Sequence, residues 1–399
     1  MNAVVVFHRD HAEYLAEVAA AWGAEAPVFL GNPQWGPEEM AEAARLIPAG
    51  TRVVGAELTP TGPTPAGWPE AWRGRTMVPT GGTGGRVKFV VHDPASLAAA
   101  VRGLSDFLAA RGVGPKLHGA TLTPPWHVSG LMPFVRAALT GGRHVVLDGR
   151  FRPEAPLPAV GLPTDGARIA SLVPAQLLRL LARPEGEAWL RKFNVILLGG
   201  SAVPPACLRE IRDRRLPVYL TYGMTETAAA CALCPPETIW KNQPPRGVPL
   251  PGTRFALAGD ILTVETPALA QGLWPEENFA RSGHLTQDRA QLAADGSVKI
   301  LGRADRVIVT GGEKVDPARI EAALAPLASV HAFGVPDPQW GERVVALVVG
   351  TAALEPALRK LAERLEPAAR PKAYAFAAEA PTDARGKFDR TAARNLFGA

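Results

Sequence analysis

The chain has 399 residues, 47% hydrophobic and 20% charged. At about 150 residues per domain this means two or three domains with apolar material for a sizeable core, which excludes a disordered or fibrous protein. The formal net charge of +5 is spread thinly rather than gathered in a tail or block, so no nucleic-acid partner is expected.

Apolar runs such as residues 4–7 and 195–198 are strand-sized, whereas a membrane span needs roughly 18 to 20 residues. No membrane span is expected. The opening MNAVVVFHRDH lacks a basic leader, so no signal peptide is expected either. Three cysteines cannot build a disulfide framework, and a reducing cytoplasm suits them.

In chain order, residues 4–7, 53–54, 87–91, 144–147, 168–173, 195–198 and 218–220 read as strands. Residues 93–111 read as a helix between two of them. Asp93 is the N-cap, Pro94 the first helical residue, and Leu97, Val101, Leu104 and Leu108 recur at helical spacing before Gly112. Alternating strands and helices predict α/β layers with helices covering a sheet. From residue 246 the pattern changes to short strands at 254–258 and 261–265 between Pro and Gly turns, a small antiparallel unit. A strand at 297–301 and a helix at 317–327 follow. A boundary near Asp305 divides a large domain, 1–304, from a small one, 305–399.

Four local patterns carry chemistry. The first is Thr80-Gly81-Gly82-Thr83-Gly84-Gly85-Arg86-Val87-Lys88. Glycines let backbone N–H groups surround phosphate oxygens, while hydroxyls and a lysine add donors and charge. A Gly-rich surface turn is the plainer alternative, and no Walker loop can be laid on it. The second is Tyr222-Gly223-Met224-Thr225-Glu226 at a strand end, where Glu226 either holds Mg²⁺ beside phosphates or sits in an exposed turn. The third joins Gly302-Arg303-Ala304-Asp305 to Gly311-Gly312, and the fourth is Arg385-Gly386-Lys387. Singly, these are solvated Gly turns. Cys231 and Cys234 have C-x-x-C spacing, but with only Cys207 besides they fall short of a four-ligand zinc site.

Together and in this order, the patterns resemble the adenylate-forming superfamily of acyl-CoA synthetases, peptide-synthetase adenylation domains and firefly luciferase. The resemblance runs from Met77 to Lys387. It implies an α/β fold: a large N-terminal layered α/β domain, shortened at its N-terminus, and a small mobile C-terminal α+β domain. It assigns Thr80 to Gly85 and Lys88 to the triphosphate, with Tyr222 and Thr225 also at the nucleotide. Thr286-Gln287-Asp288 stands where the family has Thr-Gly-Asp, so Asp288 would take the ribose hydroxyls, with Arg303 beside it. Glu226 would be the metal ligand, Asp305 the hinge, Gly311 and Gly312 the CoA-step loop, and Lys387 the catalytic lysine. Departures are glycine at 81 and 84, Val87 for the usual Pro, Gln287 for Gly, and a stretch before the phosphate loop about half the usual length.

A narrower resemblance lies in Trp126-His127-Val128-Ser129-Gly130-Leu131-Met132, Ser171-Leu172-Val173-Pro174 and Val335-Pro336-Asp337. These look like o-succinylbenzoate–CoA ligases of quinone biosynthesis. The implied reaction joins a small-molecule carboxylic acid to CoA with ATP and Mg²⁺, through an acyl-adenylate. Gly199, Gly200 and Ser201 would shape the acyl pocket and His127 would close one side, unless it is a core or capping histidine. Ser129 and Arg136 are candidates for a second carboxylate, although Arg136 equally suits a solvated helix face. Activation of another acyl or aryl acid, and adenylate binding without catalysis, are the alternatives. A homo-oligomer is compatible with all three.

Overall fold

The computed structural model describes residues 2–398 apart from 82–86, 153–154, 275–276, 279–282, 311–312 and 384–387. Short β-branched runs form Val4–Val6 (β1), Val28–Leu30 (β2) and Arg52–Val54 (β3), which pair in parallel. Helices His11–Gly23 (α1) and Pro37–Leu46 (α2) lie between them. Asp10 starts α1 by accepting from Ala12 N and Glu13 N, satisfying two of the unpaired first-turn donors. Thr76–Gly81 (β4) and Val87–His92 (β5) form an antiparallel hairpin with Thr80 opposite Lys88. The helix expected over 93–111 is Pro94–Ala109 (α3), capped by Asp93, whose carboxylate accepts from Ser96 N.

A second sheet comprises Leu117–Thr121 (β6), His144–Val146 (β7), Ala167–Leu172 (β8), Val195–Leu198 (β9), Val218–Met224 (β10), Ala229–Cys234 (β11) and Val248–Pro249 (β12). From β7 through β6, β8 and β9 to β10 every pairing is parallel, and only β11 and β12 reverse. The carboxyl ends of five strands therefore share one edge, where open α/β sheets bind ligands. Helix Val128–Thr140 (α4) rises from that edge and packs on β6 so closely that a Cβ on Gly119 would strike the Pro133 carbonyl.

The small antiparallel unit is four-stranded. Arg254–Ala258 (β13) and Ile261–Glu265 (β14) lead, Gly272–Trp274 (β15) and Glu277–Asn278 (β16) return to the edge of the first sheet, and His284–Leu292 (β17) and Val298–Arg303 (β18) complete it. Leu262, Val264, Ala290 and Val298 bury its inner face against Cys231 and Ala232 of the second sheet. The last sheet contains only strands that follow residue 306: Ile308–Thr310 (β19), Glu313–Val315 (β20), Ser329–Asp337 (β21), Gly341–Val349 (β22) and Ala373–Ala377 (β23).

Two expectations need correction. Residues 218–220 continue as strand to Met224, because β11 folds back and pairs Met224 with Ala229 across a bulge at Tyr222 and Gly223. The helix expected over 317–327 ends at Leu324, since Pro326 has no N–H with which to continue the hydrogen-bond ladder beyond Ala325.

In the last sheet's core, Glu321 accepts from Ala332 N at 3.0 Å, and burial pushes its carboxyl from 4.5 up to about 7. A carboxyl with a raised folded value binds its proton more tightly when folded, so stability falls as pH rises between those values. Glu321→Gln keeps the acceptor and loses the titration. Its thermal midpoint should gain on the parent by several degrees from pH 5 to pH 8. A constant difference across that range would show an unperturbed carboxyl.

Candidate active site

The site is built where the parallel strands end. Tyr222 stands on the last turn of β10, and its hydroxyl donates to Asp288 Oδ2 at 2.7 Å. Asp288 is on β17 directly opposite Arg303 of β18, and Arg303 Nη1 is 3.7 Å from Asp288 Oδ1. Burial raises the Tyr222 phenol well above its ordinary value, and the Asp288 carboxylate adds to it, so the hydroxyl stays a donor. Thr286, two residues before Asp288, fixes the strand by donating to Leu262 O at 2.8 Å and accepting from Asp288 N at 3.0 Å. Tyr222, Asp288 and Arg303, distant in sequence, are thus brought into one polar cluster.

Arg303 also reaches forward. Its Nε and Nη2 donate to the two oxygens of Asp305 at 2.8 and 2.6 Å, a paired geometry that holds the Asp305 carboxyl below the usual range. Arg303 and Asp305, which the sequence resemblance assigns to the ribose and the hinge, are therefore bonded to each other. A second ion pair spans the same junction, from Arg289 of β17 to Asp316, which caps the helix Pro317–Leu324. The sequence reading missed this pair because neither residue belongs to a pattern.

After Met224 the chain makes a single 3₁₀ turn, Thr225–Thr227, and Glu226 is half-buried there. Among the described residues its carboxylate has no hydrogen-bond or ion-pair partner, although its charge is felt by Arg303. No group of three or more His, Cys, Asp or Glu side chains among them could hold a metal ion. One carboxylate completed by phosphate oxygens is an ordinary Mg²⁺ set, and Glu226 fits that role. Of the glycine-rich segment, Thr80 and Gly81 lie at the end of β4 and an exposed Lys88 on β5, while Gly82, Thr83, Gly84 and Gly85 fall outside the described residues. Glu42 of α2, also missed, accepts from Val87 N at 2.6 Å and anchors the hairpin's return strand. Gly311, Gly312 and Lys387 likewise fall outside the described residues.

The acyl-pocket candidates lie along the same edge. Gly199 follows β9, and a Cβ there would collide with the Thr221 hydroxyl, which accounts for glycine. Gly200 has a φ of +82° and is exposed, as is Ser201. His127 is the N-cap residue of α4, half-buried, and exposed Ser129 accepts from Thr123 Oγ1 at 3.2 Å. Arg136 shares the helix face of Ser129 two turns further on. It is no solvated helix residue, being only 4% exposed. Among the described residues its Nη1 lacks a hydrogen-bond partner and no carboxylate acts on it, and burial lowers its pKa to about 10. The Cα–Cβ bonds of a helix tilt toward its N-terminus, the end of α4 that carries His127 and Ser129. An open cavity of about 480 Å³ between Lys116, His118, Arg143 and Asp165 is at the opposite edge of the sheet.

A family model described as "AMP-binding enzyme" matches residues 49–274, and one described as "AMP-binding enzyme C-terminal domain" matches residues 320–387. The chain is 33% identical over 339 residues to a protein of Mycobacterium tuberculosis named "Probable 2-succinylbenzoate--CoA ligase", covering 80% of this chain and 84% of that one. It is 30% identical over 300 residues to the "Indoleacetate--CoA ligase" of Aromatoleum aromaticum, covering 69% and 58%. Among solved structures, the o-succinylbenzoate coenzyme A synthetase of Bacillus subtilis in complex with ATP and magnesium ion superposes with a TM-score of 0.72. That match is at 20% identity over 98% of this chain and 88% of that one.

The bond between Tyr222 and Asp288 joins a partly buried hydroxyl to a carboxylate, an arrangement with a coupling of about 1.5–3 kcal/mol. A double-mutant cycle of Tyr222→Phe and Asp288→Ala in urea should return a coupling in that range. Additive effects would mean the bond is not formed in solution.

Proposed function

The chain belongs to the AMP-binding enzyme family and is an AMP-forming acid–CoA ligase, and we propose that the acid it activates is o-succinylbenzoate. In the first step the acid's carboxylate attacks the α-phosphorus of ATP, and pyrophosphate leaves. In the second the CoA thiol displaces AMP from the acyl-adenylate. Two anions meet in the first step, so positive charge must be aimed at the transferring group. We assign that task to Lys387, carried on residues 305–399 acting as a lid. Asp288 would accept from the ribose hydroxyls, with Tyr222 and Arg303 holding it in place. Glu226 would hold Mg²⁺, which when bound offsets the charge of the phosphates. Thr80 to Gly85, with Lys88 and Thr225, would cradle the triphosphate, and a turn at Asp305 would bring Gly311 and Gly312 in for the CoA step. The cytoplasm is the proposed location; no helix among the described residues is long and apolar enough to cross a membrane.

The observation that carries the choice of acid is Arg136. A buried cation without a counter-ion costs several kcal/mol, and an acid with a second carboxylate supplies the missing charge. Relatives named as 2-succinylbenzoate–CoA ligases agree with this reading. His127, Ser129, Gly199, Gly200 and Ser201 would surround the rest of the molecule. The identity to an indoleacetate–CoA ligase favours a second reading, an aryl acid with one carboxylate, which would leave Arg136 unmatched.

Two experiments test these assignments. Lys387→Ala should slow pyrophosphate release about 10²- to 10³-fold, the scale of one transition-state charge donor. It should still make thioester from supplied acyl-adenylate, and equal loss in both half-reactions would exclude a lysine that acts in the first alone. For the acid, o-succinylbenzoate should exceed indoleacetate, benzoate and octanoate in kcat/KM by about 10²-fold or more, because a site built around a charge rejects analogues without it. Arg136→Met should erase most of that preference. Equal use of benzoate by the parent enzyme would exclude the dicarboxylate.

A further inference from the structure

His92 ends β5 and is fully buried. Its Nε2 is 2.7 Å from the carbonyl oxygen of Thr225. A carbonyl only accepts, so Nε2 carries the proton and Nδ1 the lone pair. Nδ1 is 3.1 Å from Ser96 Oγ, and Ser96 is itself held by Asp93, whose carboxylate accepts from its N–H at 2.7 Å. The first turn of α3 thus orients the imidazole, which delivers one directed hydrogen bond to a residue 133 positions away in sequence.

The peptide gripped by that bond leads into Glu226. On its far side the Glu226 carbonyl accepts from Ala270 N at 2.8 Å. Thr227 Oγ1 accepts from Met224 N at 3.1 Å and lies 2.8 Å from Ala229 O. Immediately after, Ala228 and Ala229 have φ of +50° and +82°. Two L-residues in succession in the left-handed region persist only where the surroundings over-determine them. His92 is the side chain that holds this turn from the first sheet.

We propose that His92 is a positioning residue for the acid-activating step: by fixing the Thr225–Glu226 peptide it sets the direction of the Glu226 carboxylate. The inference rests on the proposed role of Glu226 for its consequence, while the grip itself is independent of it. A histidine that only filled the core would affect stability and leave the two half-reactions equally changed.

The test compares three variants of the full chain. Glutamine places an N–H near the position of Nε2, asparagine near that of Nδ1, and leucine supplies none. His92→Leu and His92→Asn should weaken MgATP binding about tenfold in calorimetry, the scale of one lost buried hydrogen bond, and leave binding of ATP in EDTA within threefold. They should slow pyrophosphate release at saturating ATP, while thioester formation from supplied acyl-adenylate stays within threefold. His92→Gln should recover MgATP binding and pyrophosphate release to within threefold of the parent. If leucine does not fold, the contrast between glutamine and asparagine decides alone. Equal impairment of those two, or equal loss of ATP binding with and without Mg²⁺, overturns the inference. A parent enzyme that binds MgATP but activates no acid would overturn the functional reading instead, and the binding contrast would still decide the role of His92.

Discussion

The carboxylate of Asp288 is the point on which the rest of the site depends. Its oxygens accept from the Tyr222 hydroxyl at 2.7 Å and face Arg303 at 3.7 Å, and it is only 13% exposed. A carboxyl group at that depth is tolerated only when its oxygens are partnered. That requirement draws the end of β10, the middle of β17 and the end of β18 together. It also explains why Thr286 is buried, since its hydroxyl keeps Asp288 in register by bonding at both sides.

Arg303 passes this constraint on to the junction between the third sheet and the last. Its guanidinium is divided between Asp288 behind and Asp305 ahead, so a ligand that draws Arg303 toward Asp288 would loosen its hold on Asp305. Arg289 repeats the arrangement with Asp260 and Asp316. Partly exposed ion pairs contribute of order 1 kcal/mol or less each. The two pairs are therefore strong enough to prefer one orientation of the last sheet and weak enough to be exchanged in a catalytic cycle, as the proposed rotation at Asp305 requires.

Much of this was legible in the sequence, and the reasons differ residue by residue. The helix over 94–109 announced itself through Asp93, Pro94 and its apolar spacing because those signals are local. Asp288 was found through the resemblance of Thr286-Gln287-Asp288 to the family's Thr-Gly-Asp, and its pairing with Arg303 comes from the antiparallel register of β17 and β18. His92 was missed because it closes a run of apolar strand residues and its partner is 133 positions distant. No single-sequence pattern carries a contact of that kind. The strand character of Tyr222 to Met224 was missed for the same reason: it is imposed by β11 folding back, against the local turn signals. Arg136 could be read either way from sequence, since a helical arginine is ordinarily solvated, and only its packing decides.

That packing separates a stabilising residue from a functional one. A buried arginine with nothing opposite lowers stability, and replacing it with an apolar side chain of similar length would ordinarily raise it. Arg136 nevertheless occupies the same helix face as Ser129, two turns from the edge where β6, β8, β9 and β10 all end. The lowering of its pKa to about 10 leaves it charged near neutral pH. Its charge is therefore standing and unmatched among the described residues, and the cost falls on the folded protein. On the proposed reading, binding energy gained there is available to a substrate that brings its own second charge and denied to one that does not, which would make the buried cation a source of selectivity rather than of stability.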